Sequence, residues 1–554
     1  MKRALRCGRC THRDGGIDAS KPCPERVFYL PHTNWPRGVD MKYILGIDAG
    51  TSNVKAVLFD EFGNEINIAS CPNETIHGST NQLEQDMDAV WEKVKYCIRT
   101  VVQSEAITPE NIIGIGVTAQ GEGCWLIDKE GKPVHHAILW CDGRAVEIVD
   151  EITREHPELG KLYHTTTGTP PGLGNQLILL KWMKENRKEI LDRAHKLFFC
   201  KDWIRFKLTG RIHAEITDSF TSLVDADSGE IAIDLMEALG VAEYRDYLPD
   251  PIRSDQVVGP ILDSVAGELG LKQGLPVIAG ALDICATPLG AGAIHEGDVC
   301  VILGTTCAAE INIRKKNCDF GAENTRYEKH PLGDMYVQGQ STLNGAPNIQ
   351  WMLEHIADTK DFHEIDKLVA SVPVGCGGVI YHPYISPAGE RAPFYQPYAR
   401  ASFFGISQTT TRAALIRAVY EGLSLSIRDC LMNVDRSGTI FLTGGGAKSP
   451  VWAQMIADVT GMKVVVPSGK EFGAKGVALI AGVSQGLYKN YEDAIDKACS
   501  FTHTYEPDKK NAEKYLLIYE LYKRIRIHND QLWNARHEMN KQLRKLDVEA
   551  DVRG

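Results

Sequence analysis

A chain of 554 residues, 43% hydrophobic and 24% charged, has the composition of a globular protein and is too long for one core, so two large domains are expected. A net charge of −11 argues against binding a phosphate backbone, which excludes nucleic acid as an expected partner. The longest apolar stretch, 275–294, is interrupted by Asp283 and Pro288 and lacks the flanks of a membrane span, so no membrane partner is expected either.

Residues 1–40 show no periodicity. Their CxxC, Cys7 to Cys10, has no further ligands at regular spacing, so zinc is not expected. The expectation is a natural start at Met41, with 1–40 an N-terminal extension that is disordered or non-native. Fifteen scattered cysteines and the lack of a visible signal peptide predict a cytoplasmic protein.

Residues 44–60 read as two strands joined by the tight turn Gly50-Thr51-Ser52. Backbone N–H groups can converge at Gly50, and Thr51 and Ser52 add hydroxyl donors, a set that suits a phosphate. Asp48, ending the first strand, can hold a hydrated Mg²⁺ beside it, and Lys55 adds positive charge. A third strand follows at 66–68. Apolar residues at Met87, Val90, Trp91, Val94, Ile98 and Val101 predict a helix over 86–102. Strands are predicted at 112–118 and 124–127, a mostly helical region at 145–250, and a strand at 276–280 feeding a helix near Asp283.

The second half repeats the opening. Residues 299–311 read as strand, Gly304-Thr305 turn, strand, which predicts a duplicated fold with a phosphate clamp in each half. Helices follow, then the run Thr439 to Ala447, and Ser449-Pro450 is a helix start with Ser as N-cap and Pro at the first helical position. A closing helix over about 510–545 carries the stripe Tyr515, Ile518, Tyr522 and Ile525.

Together these runs resemble the FGGY carbohydrate kinases. The resemblance is carried by 46–52, 280–283, 303–306, Gly389-Glu390-Arg391-Ala392-Pro393, 417–422 and 444–450. It covers about residues 41–535, in the right order and spacing. It implies an α/β fold of two actin-like (ribonuclease-H-like) domains with the active site in the cleft between them. The implied domains are 41–293, which binds the sugar and carries the catalytic base, and 294–535, which binds the nucleotide; 536–554 is left as a charged tail. The implied reaction moves the γ-phosphoryl of ATP to a hydroxyl of a small sugar or polyol, with Mg²⁺.

By the same resemblance Asp283 is the base, and phosphoryl transfer asks for such a group. Thr51, Ser52, Lys55, Gly304 and Thr305 are expected on the phosphates, and Gly345, Gly445, Gly446 and Ala447 on the nucleotide. Asp48 is expected to orient the metal. Gln120, Gly121 and Glu122 are expected to recognise the acceptor, since a carboxylate accepts two hydroxyl hydrogen bonds. Glycerol kinases carry Arg-Glu at Gly121-Glu122, so the pocket here is expected to be roomier. The run Gln120-Gly121-Glu122-Gly123 is closer to erythritol kinases and L-xylulose kinase-like members, which implies a ketopentose or an erythritol-like polyol. Glycerol, ribulose and gluconate remain alternative acceptors, as does a non-catalytic regulator of the same fold. A homodimer is common among such kinases and is expected by analogy alone.

Overall fold

The computed structural model describes residues 26–29, 41–78, 81–103, 107–322 and 325–553. Apart from Arg26–Tyr29, the expected N-terminal extension lies outside the described residues.

Two mixed sheets share one topology. The first holds β1 (Arg26–Tyr29), β2 (Tyr43–Ala49), β3 (Asn53–Asp60), β4 (Glu65–Pro72), β5 (Ile112–Ala119), β6 (Val257–Pro260), β7 (Pro276–Ile278) and β8 (Ala281–Leu282). Its order is β1-β4-β3-β2-β5-β7-β6, with β8 also paired to β5. The second holds β9 (Val299–Leu303), β10 (Cys307–Arg314), β11 (Tyr327–Lys329), β12 (Met335–Thr342), β13 (Thr439–Gly444), β14 (Lys463–Pro467) and β15 (Phe501–Tyr505), in the order β11-β12-β10-β9-β13-β14-β15. In each, an antiparallel hairpin lies beside two parallel strands, and an antiparallel strand closes the edge. The duplication expected from the two Gly-Thr turns is therefore present in the backbone.

The helices that position the site are α1 (Met87–Val102), α2 (Cys200–Thr209), α3 (Asp283–Ala291), α4 (Arg412–Cys430), α5 (Pro450–Thr460), α6 (Phe472–Ser484) and α7 (Lys509–Arg553). The Asp86 carboxylate caps α1 by accepting from the backbone N–H groups of Asp88 and Ala89. Ser449 caps α5 as expected, accepting from Trp452 N at 3.2 Å. Alternation along β2 sends Leu45 and Ile47 into a core with α1 and α2, and Ile44 into a second core with α3 and α6. Thus α6, though late in sequence, packs on the sheet of the first half. The second sheet buries Val299, Val301 and Leu303 against α4 and α5. Helix α7 runs past the expected end near 545; Tyr515 and Tyr522 are fully buried, and Trp533 is buried beside Tyr384.

Candidate active site

Asp48 and Asp283 meet at one rim because β2 and β8 both pair with the end of β5. Asp48 and Ala281 lie opposite Thr118, and Ala49 and Leu282 lie opposite Ala119. The carboxyl ends of parallel strands are where such sheets gather ligand-binding residues. Asp283 is the first residue of α3 rather than its N-cap, which is Leu282. One of its carboxylate oxygens accepts from Ile284 N at 2.7 Å.

Three carboxyls here are held away from their ordinary values. Burial, then the charges of Asp48 and Asp218, push Asp283 up to about 8. Burial raises Asp48 to about 6, with Lys55 pulling against it. Asp218 is raised to about 7 by burial, although Lys201 pairs with it directly. A site that repels its own negative charge favours an incoming cation.

The Gly50–Ser52 turn is braced. Thr51 Oγ1 donates to Gln120 Oε1 at 2.9 Å, Gln120 Nε2 donates to Gln85 Oε1 at 2.7 Å, and Gln85 Nε2 donates to the Thr51 carbonyl at 2.9 Å. The Trp140 indole also donates to Thr51 Oγ1, at 3.0 Å. Gln120 is thus spent on this closed ring, and Ser52 alone presents an exposed hydroxyl at the turn. Lys55 is paired with Glu471 of the second half at 2.5 Å. Burial works against its charge, and Glu471 together with Asp48 and Glu65 more than offsets that.

Glu122, beyond the same turn, is buried and holds φ at +55°. A non-glycine residue in the left-handed region costs about 1–3 kcal/mol and persists only where its surroundings enforce it. Asn175 Nδ2 donates to Glu122 Oε1 at 3.0 Å, and the Arg326 guanidinium binds the same oxygen from the second half. Arg326 also pairs with Glu328.

The roominess expected from Gly121 is absent. A Cβ there would lie 2.1 Å from Leu282 Cδ1 and 2.9 Å from Asp218 Oδ1, so those side chains already fill the space. Gly121→Ala is expected to displace Leu282 and with it Asp283. Acceptor kcat/KM should fall about tenfold or more with the KM for ATP unchanged, measured by ADP release.

In the second half, Gly304 N donates to Thr306 O at 3.0 Å, leaving Thr305 and Thr306 exposed at the turn tip. Beside it a cavity of about 690 Å³ is lined by Gly304, Gly345, Gly445, Gly446, Tyr420 and Trp452, among others. Ala447 packs against the second core instead. Among the described residues no cluster of three or more His, Cys, Asp or Glu is placed to hold a metal, and no helix is long and apolar enough to cross a membrane.

Residues 43–290 match the N-terminal domain of the FGGY family of carbohydrate kinases, and residues 299–485 match its C-terminal domain. The chain belongs to this family. It is 32% identical over 495 residues to the L-xylulose/3-keto-L-gulonate kinase of Escherichia coli, covering 87% of this chain and 96% of that one. It is 30% identical over 512 residues to the erythritol kinase of Brucella abortus, covering 89% and 97%. A xylulose kinase structure from Lactobacillus acidophilus superposes with a TM-score of 0.80 at 23% identity, covering 88% and 98%, which supports the two-domain actin-like fold. The protein is a carbohydrate kinase, a phosphotransferase that uses ATP as its family does.

Several residues of this FGGY kinase escaped the sequence reading. Arg326, Asn175 and Glu471 become visible only when distant segments meet. Glu310 left a local signal: on β10, Ala308, Glu310 and Asn312 share one face while Cys307, Ala309 and Ile311 share the other. A polar face on a strand of the second sheet marks a surface turned toward the cleft. Val337, opposite Asn312 on that face, packs with Leu282 and Cys285 at the start of α3.

Proposed function

We propose that this FGGY kinase phosphorylates a small ketopentose or an erythritol-like polyol, and that Asp283 is its general base. The observation that carries this is the pairing, at one rim, of an Asp283 carboxyl raised to about 8 with Glu122, a strained carboxylate braced by Asn175 and Arg326. Glu122 accepts hydroxyl hydrogen bonds from the acceptor, and Asp283 takes the proton of the attacking hydroxyl. Ser52 and the exposed Thr305 donate to the phosphates from opposite halves. The names of the L-xylulose and erythritol kinases among the relatives agree with this acceptor class.

The residues present also fit Mg²⁺. Asp48 is a single half-buried carboxylate with a raised pKa beside the phosphate turn, and Mg²⁺ is ordinarily bound by one or two carboxylates, waters and phosphate oxygens. When bound, the ion neutralises phosphate charge. Asp48 would hold it through water.

The test is coupled ADP release with Mg²⁺-ATP across D- and L-xylulose, D- and L-ribulose, erythritol, pentitols, glycerol and gluconate. A strong response to one ketopentose or to erythritol, with little release in its absence, is the expected outcome. A preference for glycerol or gluconate would overturn the acceptor assignment.

A further inference from the structure

The run Gly389 to Pro393 has a structural task for most of its polar groups. Glu390 is fully buried. Its carboxylate accepts from Leu343 N at 2.8 Å, Asn344 Nδ2 at 2.7 Å and Arg391 N at 2.8 Å. It thereby fixes the bend that lays Gly345 against the Gly304 turn, where Ala346 N donates to Gly304 O at 2.8 Å. Arg391 differs. Its Nε donates to Ser341 O at 2.7 Å, its side chain is exposed, and its Nη atoms have no partner among the described residues.

The backbone register places that guanidinium. Ser341 on β12 lies opposite Ala308 on β10, the second residue after the Gly304–Thr306 turn. The next row on the same face is Glu310 opposite Gly339, and Gly339 N donates to the carbonyl of Arg326, whose side chain reaches Glu122. Arg391 therefore stands between the second phosphate turn and the acceptor wall. Glu310 lies within electrostatic reach of Arg391 and of Asp283 alike. Of the other cations around the cleft, Arg326 is engaged by Glu122 and Glu328, Lys55 by Glu471, and Lys201 by Asp218, Glu215 and Asp202.

We propose that Arg391 is a catalytic residue that binds the phosphoryl group in transit, an inference that rests on the acceptor site proposed above. The acceptor oxygen forms a bond to the γ-phosphorus as the bond to the bridging oxygen breaks. The bonding pair leaves on ADP, and the hydroxyl proton passes to Asp283. Negative charge spreads over the equatorial oxygens, and the hydroxyls of both turns are neutral donors. Arg391 stays protonated throughout and presents a planar fork of N–H groups to that charge.

The experiment compares Arg391→Gln and Arg391→Lys with wild type, using the best acceptor of the panel. Removing a donor aimed at transition-state charge costs about 10²–10³-fold in kcat, and that loss is expected for Arg391→Gln. Acceptor KM and ADP affinity should stay within about threefold, and Arg391→Lys should recover part of kcat, because a point charge replaces part of the fork. Wild type should form a tight complex with ADP, aluminium fluoride and acceptor that Arg391→Gln does not form. A kcat near wild type in Arg391→Gln would overturn the proposal, as would a loss of ADP affinity equal to the loss of kcat. A defect confined to the KM of a carboxylated acceptor would also overturn it, by placing the anion on the acceptor. Wild-type ADP release that needs no acceptor would instead overturn the acceptor site itself, which separates the two failures.

Discussion

Asp283→Asn should lower kcat for acceptor phosphorylation by about 10²–10⁴-fold, the usual contribution of a positioned general base, while ADP still binds. The amide keeps the shape of the side chain and its hydrogen bond to Ile284 N but cannot take a proton. The same residue predicts the pH profile. Burial first, then Asp48, Asp218 and Glu122, raise the Asp283 carboxyl from 3.8 to about 8. As the proposed base it acts in its ionised form, so acceptor kcat/KM should climb with pH, reach half its plateau near pH 8 and level off above that. At saturating Mg²⁺-ATP the limb should move to lower pH, because a cation beside Asp48 relieves the repulsion.

Stability carries the opposite sign. Between pH 4 and pH 8 the folded protein keeps a proton on Asp283 that the unfolded chain has released. Stability therefore falls as pH rises through that window, and the full cost is present above the folded value. Asp283→Asn has no such cost. It should be more stable than wild type at pH 8 and level with it near pH 4. Denaturant unfolding at the two pH values measures this. A variant that is dead and more stable would mark Asp283 as kept for chemistry rather than for the fold.

Local pattern carried the elements well. The hairpin of β2 and β3, the Asp86-capped α1 and the Ser449-Pro450 start of α5 each follow from a few adjacent residues, and each appears at the expected place. Asp48 and Asp283 were legible too, because each sits where a strand meets a turn or a helix. The rest depended on contacts hundreds of positions apart. Lys55 pairs with Glu471, and Glu122 with Arg326, and nothing in either local pattern names the partner. Gly121 was misread for the same reason. Its missing side chain is a fact of sequence, but Leu282 and Asp218 occupy the gap. The reach of α6 onto the first sheet was also hidden, since an apolar helix does not announce which sheet it covers.

That reach sets the last prediction. Helices α3 and α6 cross where Gly290 and Gly476 allow backbone to meet backbone. A Cβ on Gly476 would lie 1.9 Å from the Ala286 carbonyl oxygen, and one on Gly290 would lie 1.9 Å from that of Phe472. Neither neighbour is a side chain that can swing aside, so the two helices must part. Gly476→Ala is therefore expected to cost about 3 kcal/mol of stability. A control, Gly267→Ala, meets nothing within 4 Å in the helix Asp263–Leu269 and should be neutral or slightly stabilising. The functional effect follows from position. Asp283 opens α3, while Gly473 near the start of α6 lies beside Asp48, where an added Cβ would stand 3.0 Å from Asp48 Oδ2. Separating the helices thus moves Asp283 relative to Asp48. A shift of about an ångström between reacting groups costs on the order of a hundredfold, so Gly476→Ala should lose about that much in kcat/KM. Measured below its unfolding midpoint, full activity in Gly476→Ala would show that the two helices adjust without disturbing the pair of carboxylates.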